Sequence, residues 1–142
     1  MCVGDIMNSP VHTVDMDDWL STVKTIFDRA RCHHVVVLDR SRVFGVVSDR
    51  DILRVVSPFV GNPLMERPQD VGTTRRRVHQ IMSRKPTTIT PDQPVAVAAA
   101  RMLGERVSSL PVVDDDDALV GIVTTRDILT WAVNNNPAPP AG

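Results

Sequence analysis

Two short stretches of this chain have the residue types to hold a small anionic ligand. Ser48-Asp49-Arg50-Asp51 and Thr124-Thr125-Arg126-Asp127 each place a hydroxyl, an arginine and a carboxylate within four residues. Where such a stretch opens a helix, the unpaired backbone N–H groups and the helix dipole attract an anion. Arg50 and Arg126 add bidentate donors for phosphate. Asp51 and Asp127 can accept both hydroxyls of a ribose, as the acidic residue of dinucleotide-binding folds does. The spacing has a second reading. Ser/Thr-x-x-Asp also fits a helix capping box, with Asp standing where Glu or Gln is usual. The two readings are compatible, because a capped helix can exchange its side-chain cap for a ligand phosphate.

Other polar clusters carry less. His33-His34 offers imidazoles at a strand start, but neighbouring strand residues point to opposite faces, so the pair does not suit one metal ion. A structural role competes there with a phosphate or base contact, and protonation near the ordinary imidazole range would make such a contact pH-sensitive. Asp114-Asp115-Asp116-Asp117 reads as a solvated turn, since no further cation-liganding pattern accompanies it. Arg75-Arg76-Arg77 is too short for a nucleic-acid footprint. Cys2 and Cys32 lack the Cys-x-x-Cys spacing of a zinc or redox site and make no disulfide framework. No catalytic constellation and no metal site is expected.

The elements that position these residues come from a duplication. Gly45-Val46-Val47-Ser48-Asp49-Arg50-Asp51-Ile52-Leu53 returns as Gly121-Ile122-Val123-Thr124-Thr125-Arg126-Asp127-Ile128-Leu129, with six of nine positions identical at an offset of 76. Upstream the offset is 75: Val3, Ile6 and Met7 answer Val78, Ile81 and Met82, and Val37-Leu38-Asp39 answers Val112-Val113-Asp114. Each copy predicts an extended piece (Thr13-Val14; Thr88-Ile89), then a helix. Leu20, Val23, Ile26 and Phe27 carry the helical spacing in the first copy, and Val95, Ala98 and Met102 in the second. Asp17 and Asp92 stand near the starts of these helices. Two strands follow, Val35–Leu38 with Val43–Val47 and Leu110–Val113 with Leu119–Val123, before the helix opening at Ser48 or Thr124. The order is β-α-β-β-α, twice. Copies of this size bury little alone, so a shared core is expected. The boundaries are residues 1–56 and 78–133 for the copies and 57–77 for a Pro/Gly-bearing linker whose end, Gly72 to Arg77, reads as solvated. Residues 134–142, with three Asn and three Pro, read as a disordered tail.

The composition sets limits. Of 142 residues, 42% are apolar and only 4% aromatic, so the core must be aliphatic. A net charge of −1 argues against a nucleic-acid polymer as partner. No apolar run has the length of a membrane span. With two cysteines and no apparent secretory signal, a cytoplasmic setting is expected.

The β-α-β-β-α order with its closing Gly-aliphatic-aliphatic-Ser/Thr-x-x-Asp-Ile-Leu motif resembles the CBS domain, and two in tandem resemble a CBS pair, or Bateman module. The resemblance covers about Val3 to Val133. Val107-Ser108-Ser109-Leu110-Pro111-Val112-Val113-Asp114 is close to the family's strand signature; the first copy departs from it by having Val36 where the proline falls. The layout looks like stand-alone bacterial CBS-pair proteins, acetoin-utilization-like at most. The resemblance implies an α/β (α+β) fold of two repeats packed with pseudo-two-fold symmetry, and no catalysis. It implies an adenosine-type ligand (AMP, ADP, ATP or S-adenosylmethionine) in clefts between the repeats, with no covalent cofactor, and Mg only with ATP. One candidate site joins Ser48, Arg50, Asp51, His33 and His34 to Thr87, Thr88, Val107 and Ser108. The other joins Thr124, Arg126, Asp127, Ser108 and Ser109 to His12, Thr13, Cys32 and His33. Because the second copy has Ser108-Ser109 where the first has His33-His34, the sites are expected to be unequal. The richer cationic set favours the Asp51 site for a phosphorylated ligand. The resemblance also implies a homodimer through CBS-pair faces and a separate protein target for an energy-sensing regulator. The alternative is a dimerisation or assembly module that needs no ligand.

Overall fold

The computed structural model describes residues 1–55, 64–65, 67–72 and 75–135. Residues 56–63, 66, 73–74 and 136–142 lie outside the described set, and with them Pro58, Gly61 and Pro63 of the expected linker and most of the expected tail. The chain begins with a helical turn, α1 (Val3–Ile6). Then come β1 (Thr13–Asp15), α2 (Leu20–Ala30), β2 (His34–Asp39), β3 (Arg42–Ser48) and α3 (Asp49–Val55). A short α4 (Pro68–Gly72) lies inside the expected linker, with proline at the first helical position, where its missing N–H is harmless. A 3-10 turn at Val78–Gln80 and β4 (Ser83–Arg84) lead into α5 (Val95–Glu105), β5 (Ser109–Val113), β6 (Leu119–Thr124) and α6 (Thr125–Asn135). Both copies therefore hold the expected helices and strand pairs. α6 runs through Asn134 and Asn135, two residues into the stretch read as a tail.

The sequence copies and the packed units are offset from each other. One compact unit comprises Met1–Val11 with Thr87–Gly142, the other His12–Pro86. The short segment that opens each copy packs on the strands of the other. In the His12–Pro86 unit the sheet order is β1-β2-β3-β4, with β1 parallel to β2 and the remaining neighbours antiparallel. Its core cluster includes Val14, Leu20, Val23, Val35, Val37, Val47 and Ile52 together with Val78 and Met82. In the other unit β5 and β6 form the hairpin, and single bridges replace the outer strands: Ile89 pairs with Val112 and Asn8 with Ile122. Val3 joins its cluster with Ile89, Ala98, Met102, Leu110, Val112 and Val123. Each unit thus has an aliphatic cluster to which both sequence copies contribute, as the expectation of shared burial requires.

The glycine opening each closing motif makes this exchange possible. A Cβ on Gly45 would lie 2.6 Å from Met82 Sδ and 2.9 Å from the Ser83 carbonyl oxygen. On Gly121 it would lie 2.5 Å from Met7 Sδ and 3.0 Å from the Asn8 carbonyl oxygen. Methionine can shift, but the carbonyl belongs to the strand pairing itself, so the strand edge tolerates no side chain at this point.

The turn ahead of α2 is tighter than spacing suggests. Asp17 stays outside α2, because Asp15 and Asp18 close the preceding turn: Asp15 N–H donates to Asp18 Oδ2 at 2.8 Å and Asp17 N–H to Asp15 Oδ1 at 3.0 Å. The expected solvated end of the linker does not hold at Arg77. Its guanidinium lies 3.8 Å from the Trp19 ring centroid, and Nη1 donates to the Asp17 carbonyl at 2.6 Å. Stacking on an aromatic face offsets the desolvation of the cation. Arg75 and Arg76 are exposed.

Gly45→Ala and Gly121→Ala should each lower the free energy of unfolding by about 1–3 kcal/mol in urea melts, the range for overpacking a filled site. Gly104→Ala is the control, since a Cβ there meets nothing within 4 Å; in the last turn of α5 it should leave stability equal or slightly higher.

Candidate functional site

In the His12–Pro86 unit the strand register gathers the candidate residues at one end of the sheet. β2 starts where β3 ends, with His34 opposite Ser48. β1 runs parallel to β2 and starts beside it, with Thr13 opposite Val36 and the His12 carbonyl accepting from Val36 N–H at 3.1 Å. His12, Thr13, His33, His34, Ser48, Arg50 and Asp51 therefore converge where α3 begins. Cys32 sits beside them, packed against the core cluster, and burial pushes its thiol above the ordinary range, against a smaller lowering by a backbone hydrogen bond. The neutral thiol is a poor nucleophile.

The local bonding is that of a cap. Asp51 Oδ2 accepts from Ser48 N–H at 2.9 Å and from Ser48 Oγ at 3.0 Å, while Asp51 N–H donates back to Ser48 Oγ at 3.2 Å. Among the described residues, hydrogen bonds to this carboxylate reach Oδ2 alone, and Arg50 is exposed with no ion pair. His33 is exposed, and its Nδ1 lies 2.8 Å from Asp49 Oδ2; the Asp49 N–H donates to the His33 carbonyl at 2.9 Å. Its ring is thus held by an acid at the helix start, not packed in the core. Asp49 is a participant that motif spacing passes over, because the second copy has Thr125 at its place.

The other unit repeats the arrangement with different side chains. Ser109 lies opposite Thr124 across β5 and β6, and Thr125 N–H and Oγ1 donate to the Ser108 carbonyl at 3.0 and 3.2 Å. Ser109 is buried, while Val107 and Ser108 are exposed. Ile89 bridges Val112, which sets Thr87 and Thr88 beside the start of β5; the Thr88 carbonyl accepts from Arg101 Nη1 at 3.0 Å. Asp127 Oδ2 accepts from Thr124 N–H at 2.8 Å and Thr124 Oγ1 at 2.9 Å, and Asp127 N–H donates to Thr124 Oγ1 at 3.3 Å. Arg126 is exposed and, among the described residues, unpaired. The same Asp127 oxygen accepts a further hydrogen bond from Asn8 Nδ2 at 2.8 Å. Asn8 escapes motif spacing because it lies 119 residues away, on the exchanged segment.

Each expected site draws residues from both units. Within each unit, the structure brings its own share together at the end of the sheet where the closing helix begins. The acidic run is a turn, as expected: Asp114 Oδ1 accepts from the N–H groups of Asp116 and Ala118 at 2.9 and 3.0 Å. Among the described residues no cluster of His, Cys, Asp or Glu could hold a metal ion, and no helix is long and apolar enough to cross a membrane.

The sequence model of the CBS domain matches residues 3–58 and 78–134. The chain belongs to the CBS-domain family. A CBS domain-containing protein of Dictyostelium discoideum is 30% identical over 141 residues, covering 97% of this chain and 96% of that protein. The homoserine O-acetyltransferase of Methanococcoides burtonii is 31% identical over 127 residues, which are 89% of this chain and only 23% of that enzyme. The CBS pair thus spans less than a quarter of the enzyme's length, and the enzyme's activity does not carry over with it. Three solved structures share the fold. CBSX2 in complex with AMP is 26% identical at a TM-score of 0.74, covering 94% of this chain and 97% of that one. The CBS domain pair of MJ0100, in complex with 5-methylthioadenosine and S-adenosyl-L-methionine, is 25% identical at 0.76, covering 93% and 99%. The AcuB protein of Vibrio cholerae is 26% identical at 0.75, covering 95% and 93%.

Proposed function

We propose that this CBS pair is a regulatory module that binds an adenosine-type ligand (AMP, ADP or ATP, with S-adenosylmethionine as the alternative) and signals its presence to a separate protein. One observation carries the reading. In both units a carboxylate is locked in place by its neighbouring hydroxyl, with an arginine that has no described ion pair at the position before it. That arrangement offers a fixed diol acceptor and a phosphate donor at one sheet end. The solved CBS pairs with AMP and with S-adenosyl-L-methionine support the ligand class. His33, His34 and Arg50 make the Asp51 set the stronger candidate for a phosphorylated ligand. A ligand that binds two states unequally shifts their populations, which is all a regulator requires.

We further propose that the module acts as a homodimer. Leu53 is 78% exposed, Leu103 81% and Leu129 61%, each on a helix flank where an aliphatic side chain gains by being covered. Light scattering should give twice the chain mass, and Leu129→Glu should reduce it; a wild-type protein of single-chain mass would contradict the dimer.

Thermal melting with millimolar AMP, ADP, ATP and S-adenosylmethionine tests the ligand. Ligand at about 100 times its Kd adds about 2.7 kcal/mol to the folded state, which corresponds to several degrees in Tm. Asp51→Ala lowers the unliganded Tm by removing a cap, so the quantity to compare is the ligand-induced rise, which should shrink in this variant. No rise with any of the four ligands would contradict the reading.

A further inference from the structure

The two carboxylates at the helix starts are differently occupied. Asp127 Oδ2 accepts three hydrogen bonds, from Thr124 N–H, Thr124 Oγ1 and Asn8 Nδ2, at 2.8, 2.9 and 2.8 Å. Asp51 Oδ2 accepts two, from Ser48 N–H and Oγ, at 2.9 and 3.0 Å. The difference traces to one position. Asn8 bridges Ile122 on the outer edge of β6, and Ser83 pairs with Val46 on the outer edge of β3. An offset of 75 relates the two residues. Their backbones are placed alike, but the asparagine amide is longer than the serine hydroxymethyl and presents an N–H donor to the acid. Among the described residues, no hydrogen bond joins Ser83 to Asp51.

A carboxylate offers about four acceptor positions over its two oxygens. An oxygen that already holds three donors has no direction left for a ligand hydroxyl. We propose that Asn8 ranks the two acids as acceptors for a vicinal diol such as that of a ribose. A diol that grips a carboxylate with one hydroxyl on each oxygen needs room on Oδ2 as well as Oδ1; the Asn8 amide fills Asp127 Oδ2, whereas among the described residues Asp51 Oδ2 holds no third donor. Position 8 is thus a specificity-determining residue on the exchanged segment, far in sequence from the motif it governs. A diol that spans both oxygens of Asp127 must displace the Asn8 amide, and a ligand that uses Oδ1 alone does not. The proposal rests on the nucleotide reading above and adds the source of the inequality between the two sets.

Isothermal titration calorimetry with AMP tests it on the full chain: wild type, Asn8→Ser, Asp51→Asn and the double variant. Asp51→Asn keeps an amide oxygen able to accept from Ser48 N–H, and a ligand-free melt checks that it is folded. In that background, adding Asn8→Ser should tighten AMP binding on the order of tenfold, the scale of one competing hydrogen bond to a charged group. Asn8→Ser alone should bring the weaker of two AMP affinities closer to the stronger, a readout that does not depend on Asp51→Asn folding. If wild type binds AMP and Asn8→Ser leaves the affinities unchanged or weakens them, the proposal is overturned and the nucleotide reading stands. If neither wild type nor any variant binds AMP, ADP, ATP or S-adenosylmethionine in the same titrations, both are overturned.

Discussion

Two glycines let backbone approach backbone where a side chain would not fit. At Gly45 and Gly121 a strand of each unit receives the short opening segment of the other copy, with a methionine laid across the glycine and a carbonyl about 3 Å from where a Cβ would stand. Val78 and Met82 complete one aliphatic cluster through this contact, and Val3 completes the other. Each copy lacks part of its own core until the other supplies it. A unit of about half the chain would otherwise bury too little to be stable, so the exchange explains how a duplicated 50-residue pattern persists as a folded pair. The contact also fixes position 8 beside Asp127 and position 83 on the matching edge of β3, so the constraint that builds the core reaches the chemistry of the helix starts.

At those starts the structural and functional readings share the same atoms. Ser48 with Asp51, and Thr124 with Asp127, cap their helices. A cap of this kind contributes about 0.5–2 kcal/mol, enough to explain the residues without any ligand. The arginines at positions 50 and 126 are different, because no described contact explains them. The carboxylates therefore belong to the fold and, in the proposed function, to the ligand as well. A ligand diol would approach an acceptor that is already oriented, which lowers the ordering cost of binding.

Much of this was legible in the residues. The short apolar runs at Val35–Leu38, Val43–Val47, Leu110–Val113 and Leu119–Val123 located the strand pairs, and the offsets of 75 and 76 located the repeat. The strand register then made the convergence of His12, His33, Ser48 and Asp51 a consequence of topology. Less legible was the partner of each short upstream segment. Val3, Ile6 and Met7 repeat as Val78, Ile81 and Met82, but repetition says nothing about which copy a segment packs on. Only the tertiary close approach at the two glycines decides that. Asn8 was hidden for the same reason, since its hydrogen bond spans 119 residues. The capture of Arg77 by Trp19 was hidden by composition, because three successive arginines after a Pro/Gly-rich stretch read as solvated while the indole that seats one of them lies far away in the sequence.

An adenosine-type ligand bound at the capped helix starts would change the surroundings of their backbone N–H groups. Site-resolved NMR of the amide N–H groups during an AMP titration tests it most directly, because Ser48 and Thr124 N–H each donate to the carboxylate in question. Resonances from His33 through His34 and from Ser48 through Asp51 should move first, with those of Thr124 through Asp127 moving at higher AMP. AMP-dependent shifts confined to other parts of the chain, with both helix starts unmoved, would contradict it.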